Sequence, residues 1–203
     1  MGFTHFWKRE IEISLSDMKN VVDDFRKILP EINKYVQLAG GNGKGEPIIS
    51  YDKICFNGSH NCGHPKNNVI GIPWPADHAG GIAEPFENVE TDTWANGIGT
   101  KIEKRVCNGD CSYDTFSFPR ILILHDWQKP DTNGLYLIFC KTAFRPYDYA
   151  VISFLTIVKH HLQNKIIVTS DSTDKQWFDG KLLCQAILGY GMQYKMVEDV
   201  GLV

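Results

Sequence analysis

Cysteine and histidine side chains gather at the two ends of one long stretch of the chain. Cys62 and His64 stand near its start, and Cys107 and Cys111 stand near its end. Thiolate and imidazole groups are the ligands that Zn²⁺ prefers, and four protein ligands form a closed, structural site. The sequence therefore predicts a structural zinc site formed by these four residues, with His60 as a further candidate ligand. The spacings differ from those of a standard zinc finger, so free surface thiols and a disulfide between Cys107 and Cys111 stay open as alternatives.

A second group of polar residues stands at the ends of predicted strands. Lys141 and Arg145 flank the point where a strand gives way to a helix, and the N-terminus of a helix attracts anions. Asp171 follows a buried strand, a position where α/β proteins often carry functional carboxylates. Together with His5 and Asn57, these residues predict a binding site for a small anionic or nucleotide-like ligand. The protein is then a binding protein or an enzyme, and neither its reaction nor its catalytic residues are assigned.

Each of these polar residues also has a structural interpretation. Lys141 and Arg145 can pair with surface carboxylates, and Asp171 can belong to a helix cap formed by residues 169–174. His5 can be a hydrogen-bonded histidine of the core. The glycine-rich run 40–45 matches neither the Walker A nor the dinucleotide pattern and is typical of a turn. No Gly-x-Ser-x-Gly or His-Glu-x-x-His motif is present, so spatial convergence is what distinguishes the two interpretations.

Composition and charge narrow the classes of function. The chain has 203 residues, of which 43% are hydrophobic, which is typical of one globular domain. A formal net charge of -3 argues against nucleic acid as a partner, because nonspecific binding requires clustered Lys and Arg. No secretory signal and no apolar run of membrane-spanning length is visible, which predicts a cytoplasmic protein with reduced cysteines and no membrane partner. The sequence allows a homo-oligomer without indicating one.

The elements that must position these residues follow from hydrophobic periodicity. Strand patterns and three helical stripes indicate an α+β fold in which a mainly antiparallel sheet carries about three packed helices, all in a single domain over residues 1–203. Pro30 is expected to end the first helix and Gly189 the last one. Asn57 and Gly58 are expected to form a turn. The predicted strands cover 3–13, 35–38, 47–56, 113–118, 121–125, 135–142 and 165–169, and the predicted helices cover 14–30, 146–162 and 176–188.

Residues 59–112 form a Pro- and Gly-rich insertion in which hydrophobic periodicity disappears. A long loop inside a compact domain is usually functional or held by a metal or a disulfide. Trp74, Phe86 and Trp94 lie outside any periodic element, as the anchors of protein interfaces often do. These residues predict an alternative function, in which an interaction or self-assembling structural protein uses the insertion as a docking surface.

Several short motifs resemble those of a family of small proteins from bacteria, their phages and some fungi, a family without an assigned activity. Members begin Gly-Tyr-Thr-His-Tyr-Trp, and the resemblance covers most of the chain outside residues 59–112. Here Tyr113 and Asp114 stand where the family has His-Glu, which argues against an acid or base role for them. The resemblance implies positions of interest and no function. The stretches that carry it are Met1 to Trp7, Ile54 to Gly58, Phe139 to Asp148, and Ser170 to Asp171 with Trp177.

Overall fold

The computed structural model describes residues 3–66, 68–73, 94–95, 98–99 and 102–203. These residues form an α+β fold with three α-helices and antiparallel strand pairs. The helices are α1 (Leu15–Ile32), α2 (Asp148–Leu162) and α3 (Asp174–Leu188). The strands are β1 (Thr4–Arg9), β2 (Leu38–Ala39), β3 (Ile48–Ile49), β4 (Lys53–Gly58), β5 (Asn68–Pro73), β6 (Trp94–Ala95), β7 (Ile98–Gly99), β8 (Ile102–Cys107), β9 (Phe116–Pro119), β10 (Tyr136–Lys141), β11 (Ile166–Ser170), β12 (Met196–Val197) and β13 (Gly201–Leu202).

Two sheets carry the body of the molecule. In the first, β1 is the central strand between β10 and β11, so that Thr4 lies opposite Lys141 and His5 lies opposite both Cys140 and Ser170. In the second, β4 pairs with β2, β3 and β9. The strands β5 and β8 pair with each other and with no strand of these two sheets among the described residues.

The hydrophobic core lies between the helices and the sheets. The apolar stripe of α1 faces inward, and α2 is buried along almost its whole length because it lies between α1, α3 and the first sheet. Phe25, Phe56, Phe116 and Phe154 form a chain of ring contacts with centroids 5.0 to 5.7 Å apart. None of the helices in the described ranges is both long and apolar enough to cross a membrane.

Most predicted elements are present, with shifted boundaries. The first helix continues past Pro30 to Ile32, so the prediction that Pro30 ends it is wrong. Ile32 is buried and the N–H of Asn33 still donates to Leu29 O at 2.9 Å, which offsets the bond that proline cannot make. Gly189 ends α3 in the left-handed conformation with φ of 82°, as predicted.

Two local predictions are wrong. Asn57 and Gly58 belong to β4 and form no turn, because β2 and β4 pair along them. Residues 121–125 form no strand beyond one bridge from Ile121 to Glu12. The insertion 59–112 contains the antiparallel pair of β5 and β8, whose partners are far apart in sequence. Strand pairing across such a distance leaves little trace in local periodicity.

Candidate functional site

The four predicted metal ligands lie together in space. The ligand atoms of Cys62, His64, Cys107 and Cys111 are all within 4.8 Å of one another. Cys107 Sγ is 3.3 Å from Cys62 Sγ and 3.1 Å from Cys111 Sγ, and Cys111 Sγ is 3.5 Å from His64 Nδ1. A tetrahedral zinc ion with bonds of ~2.3 Å spaces its sulfur ligands about 3.8 Å apart, so a small outward movement fits the ion. The four groups thus have the composition and the spacing of a closed Cys3His zinc site.

Two glycine turns and one close backbone approach bring the ligands together. Gly63 lies between the first two ligands with φ of 75°, and Gly109 lies between the last two with φ of 80°. Both values are in the left-handed region that glycine adopts without a steric penalty. At Gly58 a Cβ atom would lie 2.0 Å from Cys111 O, so only glycine lets the second ligand pair approach β4. The N–H of Cys111 donates to Ser59 O at 3.1 Å and fixes this approach.

The surroundings of the cluster shift the pKa values of its thiols in opposite directions. Burial alone raises the pKa of Cys62, but hydrogen bonds from the His64 backbone and from neighbouring thiols outweigh it and lower the pKa to about 7. Burial instead raises the pKa of Cys111 far above its ordinary value. A metal ion binds thiolates and would therefore have to displace the proton of Cys111. The candidate ligand His60 is engaged elsewhere, since its Nδ1 lies 2.6 Å from a carboxylate oxygen of Asp110.

All six cysteines are described and all are free thiols. The structure therefore contains no Cys107 to Cys111 disulfide, although their sulfur atoms are neighbours. Cys55, Cys140 and Cys184 are buried singly in the body and are not part of the ligand cluster. They are small core residues, as their apolar sequence surroundings indicate.

A buried network of charged side chains adjoins the cluster of four candidate metal ligands along β8. Arg105 of β8 is 0% exposed and bonds both carboxylate oxygens of Asp179, the Nη2 to Oδ1 distance being 3.1 Å. The same Nη2 is 3.4 Å from Asp148 Oδ2, and Asp148 Oδ1 is 2.7 Å from His5 Nε2. The hydroxyl of Thr142 also donates to Asp148. The N-terminus of α2 therefore already carries a buried carboxylate of the protein itself, which its partial positive charge stabilises.

The network keeps its charges by mutual stabilisation. Burial alone raises the pKa of Asp148, but His5 and Arg105 outweigh it and hold the pKa below its ordinary value. Burial alone lowers the pKa of Arg105, but Asp179 and Asp148 outweigh it and hold the pKa above its ordinary value. The guanidinium also lies 5.0 Å from the ring centroid of Phe144, a cation–π contact. Removing any one partner would leave an uncompensated buried charge.

Asp148, His5 and Ser170 follow one another in the order of a serine hydrolase triad, but the Ser170 hydroxyl already contacts several groups of the protein itself. His5 Nδ1 is 3.0 Å from Ser170 Oγ. That oxygen also lies 2.6 Å from Ser172 Oγ, 3.1 Å from Ser172 N and 3.2 Å from Thr4 O. His5 is only 1% exposed. The series therefore joins α2, β1 and β11 through hydrogen bonds, with the Ser170 side chain half-buried.

Three of the five predicted anion-site residues remain available to a ligand. Lys141 and Asp171 lie at one end of the first sheet, where Asp171 Oδ1 accepts the N–H of Thr4 at 2.6 Å. Arg145 follows in the turn before α2, and among the described residues its side chain makes only a long bond of 3.4 Å, to Val106 O. In the described part of the chain neither the Lys141 ammonium nor the Arg145 guanidinium has a carboxylate partner, although the Lys141 backbone N–H donates to Asp114 Oδ2 at 3.3 Å.

The other two predicted residues are structural. His5 is enclosed in the network above. Asn57 is buried and its amide bonds the backbone of a neighbouring segment, donating to Tyr113 O at 2.8 Å and accepting from Tyr113 N at 3.0 Å. The Tyr113 ring lies 5.7 Å from Lys141 Nζ. Asn57 is therefore connected to the predicted site only indirectly, through its hydrogen bonds to Tyr113.

The docking-surface prediction falls mostly on residues that the structure does not describe. Trp74 and Phe86 lie outside the described residues, and Trp94 belongs to β6. An interaction role for the insertion therefore stays a prediction.

Sequence reasoning missed Arg105 and Asp179, which are central to the buried network. Their one detectable signal is the glycine that follows Asp179 in the middle of α3. A Cβ at Gly180 would lie 2.4 Å from Ile152 Cγ1, so α3 packs unusually closely on α2 there. A glycine inside a helix often marks such an approach, and a charged neighbour at that depth requires a buried partner.

The chain matches no protein-family model, no curated protein and no solved structure. The family resemblance of its short motifs therefore stays a prediction.

Proposed function

We propose that this protein binds one zinc ion through Cys62, His64, Cys107 and Cys111, and that the ion has a structural role. The observation that carries the proposal is the mutual approach of the four ligand atoms to within 4.8 Å, contributed by two segments far apart in sequence. Four protein ligands leave no position for water or substrate, which is the arrangement of structural rather than catalytic zinc. The ion would fasten the two ends of the insertion to each other and to β4.

Native mass spectrometry before and after a strong chelator tests this proposal. We expect a mass excess of one zinc ion per chain that the chelator removes. The variant Cys107→Ser should lose the ion, whereas Cys55→Ser changes a buried thiol outside the cluster and should retain it. Substitution with Co²⁺ should give the absorption of a tetrahedral, thiolate-rich site. Wild-type protein that takes up neither ion when both are supplied in excess would contradict the proposal.

A second proposal concerns an anionic small molecule at the end of the first sheet. It is favoured by the two cations there, Lys141 and Arg145, that have no carboxylate partner in the described ranges. The backbone between them is unusual, because Ala143 and Phe144 both have positive φ, at 49° and 53°. Non-glycine residues hold this conformation at a cost of roughly 1–3 kcal/mol each, and such strain is concentrated at functional sites.

Titration with inorganic phosphate and with a nucleoside monophosphate, followed by NMR, tests this second proposal. We expect shifts centred on residues 141–145 that are lost in Lys141→Ala and Arg145→Ala. Arg26→Ala removes an exposed cation on α1 and serves as the control. Equal affinity in all three variants would show that the two cations do not form a site.

A further inference from the structure

Three consecutive residues of β8 connect the metal cluster with two other parts of the molecule. Cys107 is a candidate ligand, the carbonyl of Val106 accepts from Arg145, and Arg105 enters the buried network. Successive side chains of a strand point to opposite faces, so Arg105 and Cys107 share one face and both are completely buried. A displacement of β8 at Cys107 therefore moves Arg105 as well.

Side chains provide the described attachments of β8 to the body. Among the described residues β8 pairs only with β5, and this pair is joined to neither sheet of the body by backbone hydrogen bonds. These attachments include the ligand cluster at one end of the strand, the Arg105 ion pairs beside it, and the long bond from Arg145 to Val106 O. Burying a guanidinium costs several kcal/mol unless its partners are held in place, so the ligand cluster and the ion pairs support each other.

From this arrangement we infer that the metal ion and the Arg105 network form one thermodynamically coupled unit, with Arg105 as the positioning residue. The inference rests on the proposed zinc site. With the ion bound, β8 is held so that Arg105 bridges Asp148 and Asp179. When the ion leaves, Arg105 is released and the Asp148 to His5 pair loses its buried cation. Because coupling is reciprocal, the factor by which the bound ion stabilises the Arg105 bridge equals the factor by which the intact bridge strengthens metal binding.

Zinc affinity measured by competition with a chromophoric chelator tests the coupling in one direction. We expect Arg105→Met to bind zinc about 5- to 150-fold more weakly than the wild type, the range of ordinary coupling energies. Arg9→Met is the matched control, because Arg9 is also a buried arginine but its guanidinium bonds the backbone carbonyls of Glu10, just after β1, and of Pro119 in β9. It should leave zinc affinity within about twofold, as expected for a site without coupling.

The imidazole signals of His5 test the coupling in the other direction. In ¹⁵N-histidine-labelled protein, assigned by the loss of the signal in His5→Gln, zinc removal should shift the His5 ring nitrogens. In Arg105→Met the same signals should no longer respond to zinc. If Arg105→Met does not fold, Arg105→Lys keeps the charge without the two-oxygen bridge, and the same two measurements on it decide the question.

The outcomes separate the inference from the proposed zinc site. A wild type that binds no zinc overturns both. A wild type that binds zinc, with unchanged affinity in the Arg105 variant or with His5 signals indifferent to zinc, overturns the coupling alone. Weaker zinc binding in the Arg105 variant together with zinc-dependent His5 signals supports it.

Discussion

The aromatic core of the body and the region around β8 bury their side chains equally well, but with opposite chemistry. Phe25, Phe56 and Phe154 are 0% exposed and contact one another through ring faces and edges. Arg105 and Cys107 are also 0% exposed, yet one is a cation between carboxylates and the other a thiol of the candidate metal site. Apolar burial is stabilising by itself, whereas a buried charge or thiolate is stable only with its partner. If zinc binds as proposed, the stability of the β8 region should depend on it, and that of the aromatic core should not.

The largest expected effect concerns the aromatic core. Phe154 touches Phe25, Phe116 and Phe118. Phe154→Ala should lower the free energy of unfolding by about 3–5 kcal/mol through lost burial and the resulting cavity. Denaturant unfolding should give the same loss with zinc and with chelator. Phe139→Ala, at a mostly exposed phenylalanine of β10, should cost much less. A loss that depends on zinc would remove the contrast between the two regions.

A smaller effect is expected in the β8 region, and it should depend on zinc. Asp179→Asn weakens the bridge to Arg105, while Asp148 remains 3.4 Å from the same guanidinium. We expect a loss of about 1.5–3 kcal/mol in zinc-saturated protein, the worth of hydrogen bonds to a charged group. The loss should shrink in chelator, where Arg105 is no longer held. Denaturant unfolding measures the free energy of unfolding with zinc and with chelator. Equal losses in the two conditions would contradict the expected dependence on zinc.

Acid pH should weaken the β8 region through Asp148. Its pKa is lowered in the folded protein, so its stabilising contribution is complete above the ordinary value near 4 and is lost as the pH falls through the lower folded value. Each such proton contributes a slope of up to about 1.4 kcal/mol per pH unit. Asp148→Asn should flatten the decline of stability below about pH 4. The zinc ligands contribute the same pH dependence of stability to the wild type and to Asp148→Asn. If stability falls as steeply with pH in the variant as in the wild type, Asp148 does not titrate in this range.

The smallest effect is expected at the N-terminal cap of α1, which belongs to neither region and provides a reference for the comparison. Ser14 caps α1, its Oγ accepting the N–H of Asp17 at 3.0 Å. Ser14→Ala should cost about 1 kcal/mol, as the loss of a helix cap usually does. Thermal unfolding should show this cost independently of zinc. Ser16→Ala changes a neighbouring exposed serine of the same helix without removing the cap bond, and it should have a smaller effect.

The two regions also differ in what their sequences reveal. The helix α1 can be predicted from the sequence because Met18, Val21, Val22 and Phe25 repeat with the helical period. The same apolar stripe is the face that α1 buries in the core. The four candidate metal ligands can be recognised in the sequence because zinc accepts few residue types, so their chemistry stands out from the surrounding loop.

What could not be predicted depends on partners that are distant in sequence. Arg105 meets Asp179, 74 residues away, and no period or motif links a lone arginine in an irregular stretch to one particular carboxylate. The same holds for Asn57, because its side-chain amide makes two hydrogen bonds with the backbone of Tyr113, as a neighbouring strand would. The glycine that follows Asn57 instead led to the prediction of a turn. Local patterns report which face of an element is apolar, but not which polar groups meet across the core.

The central position of β1 has a consequence for biosynthesis. Thr4 bonds Asp171, 167 residues further along the chain, and both neighbours of β1 come from the second half of the sequence. At ~5–20 residues per second, the ribosome needs on the order of 6 to 25 s to deliver β10, the first of these neighbours, after β1. During that interval a strand containing Phe6 and Trp7 has no partner from its own sheet. Nascent chains of this protein are therefore expected to bind chaperones that recognise exposed apolar segments until the last third of the chain emerges.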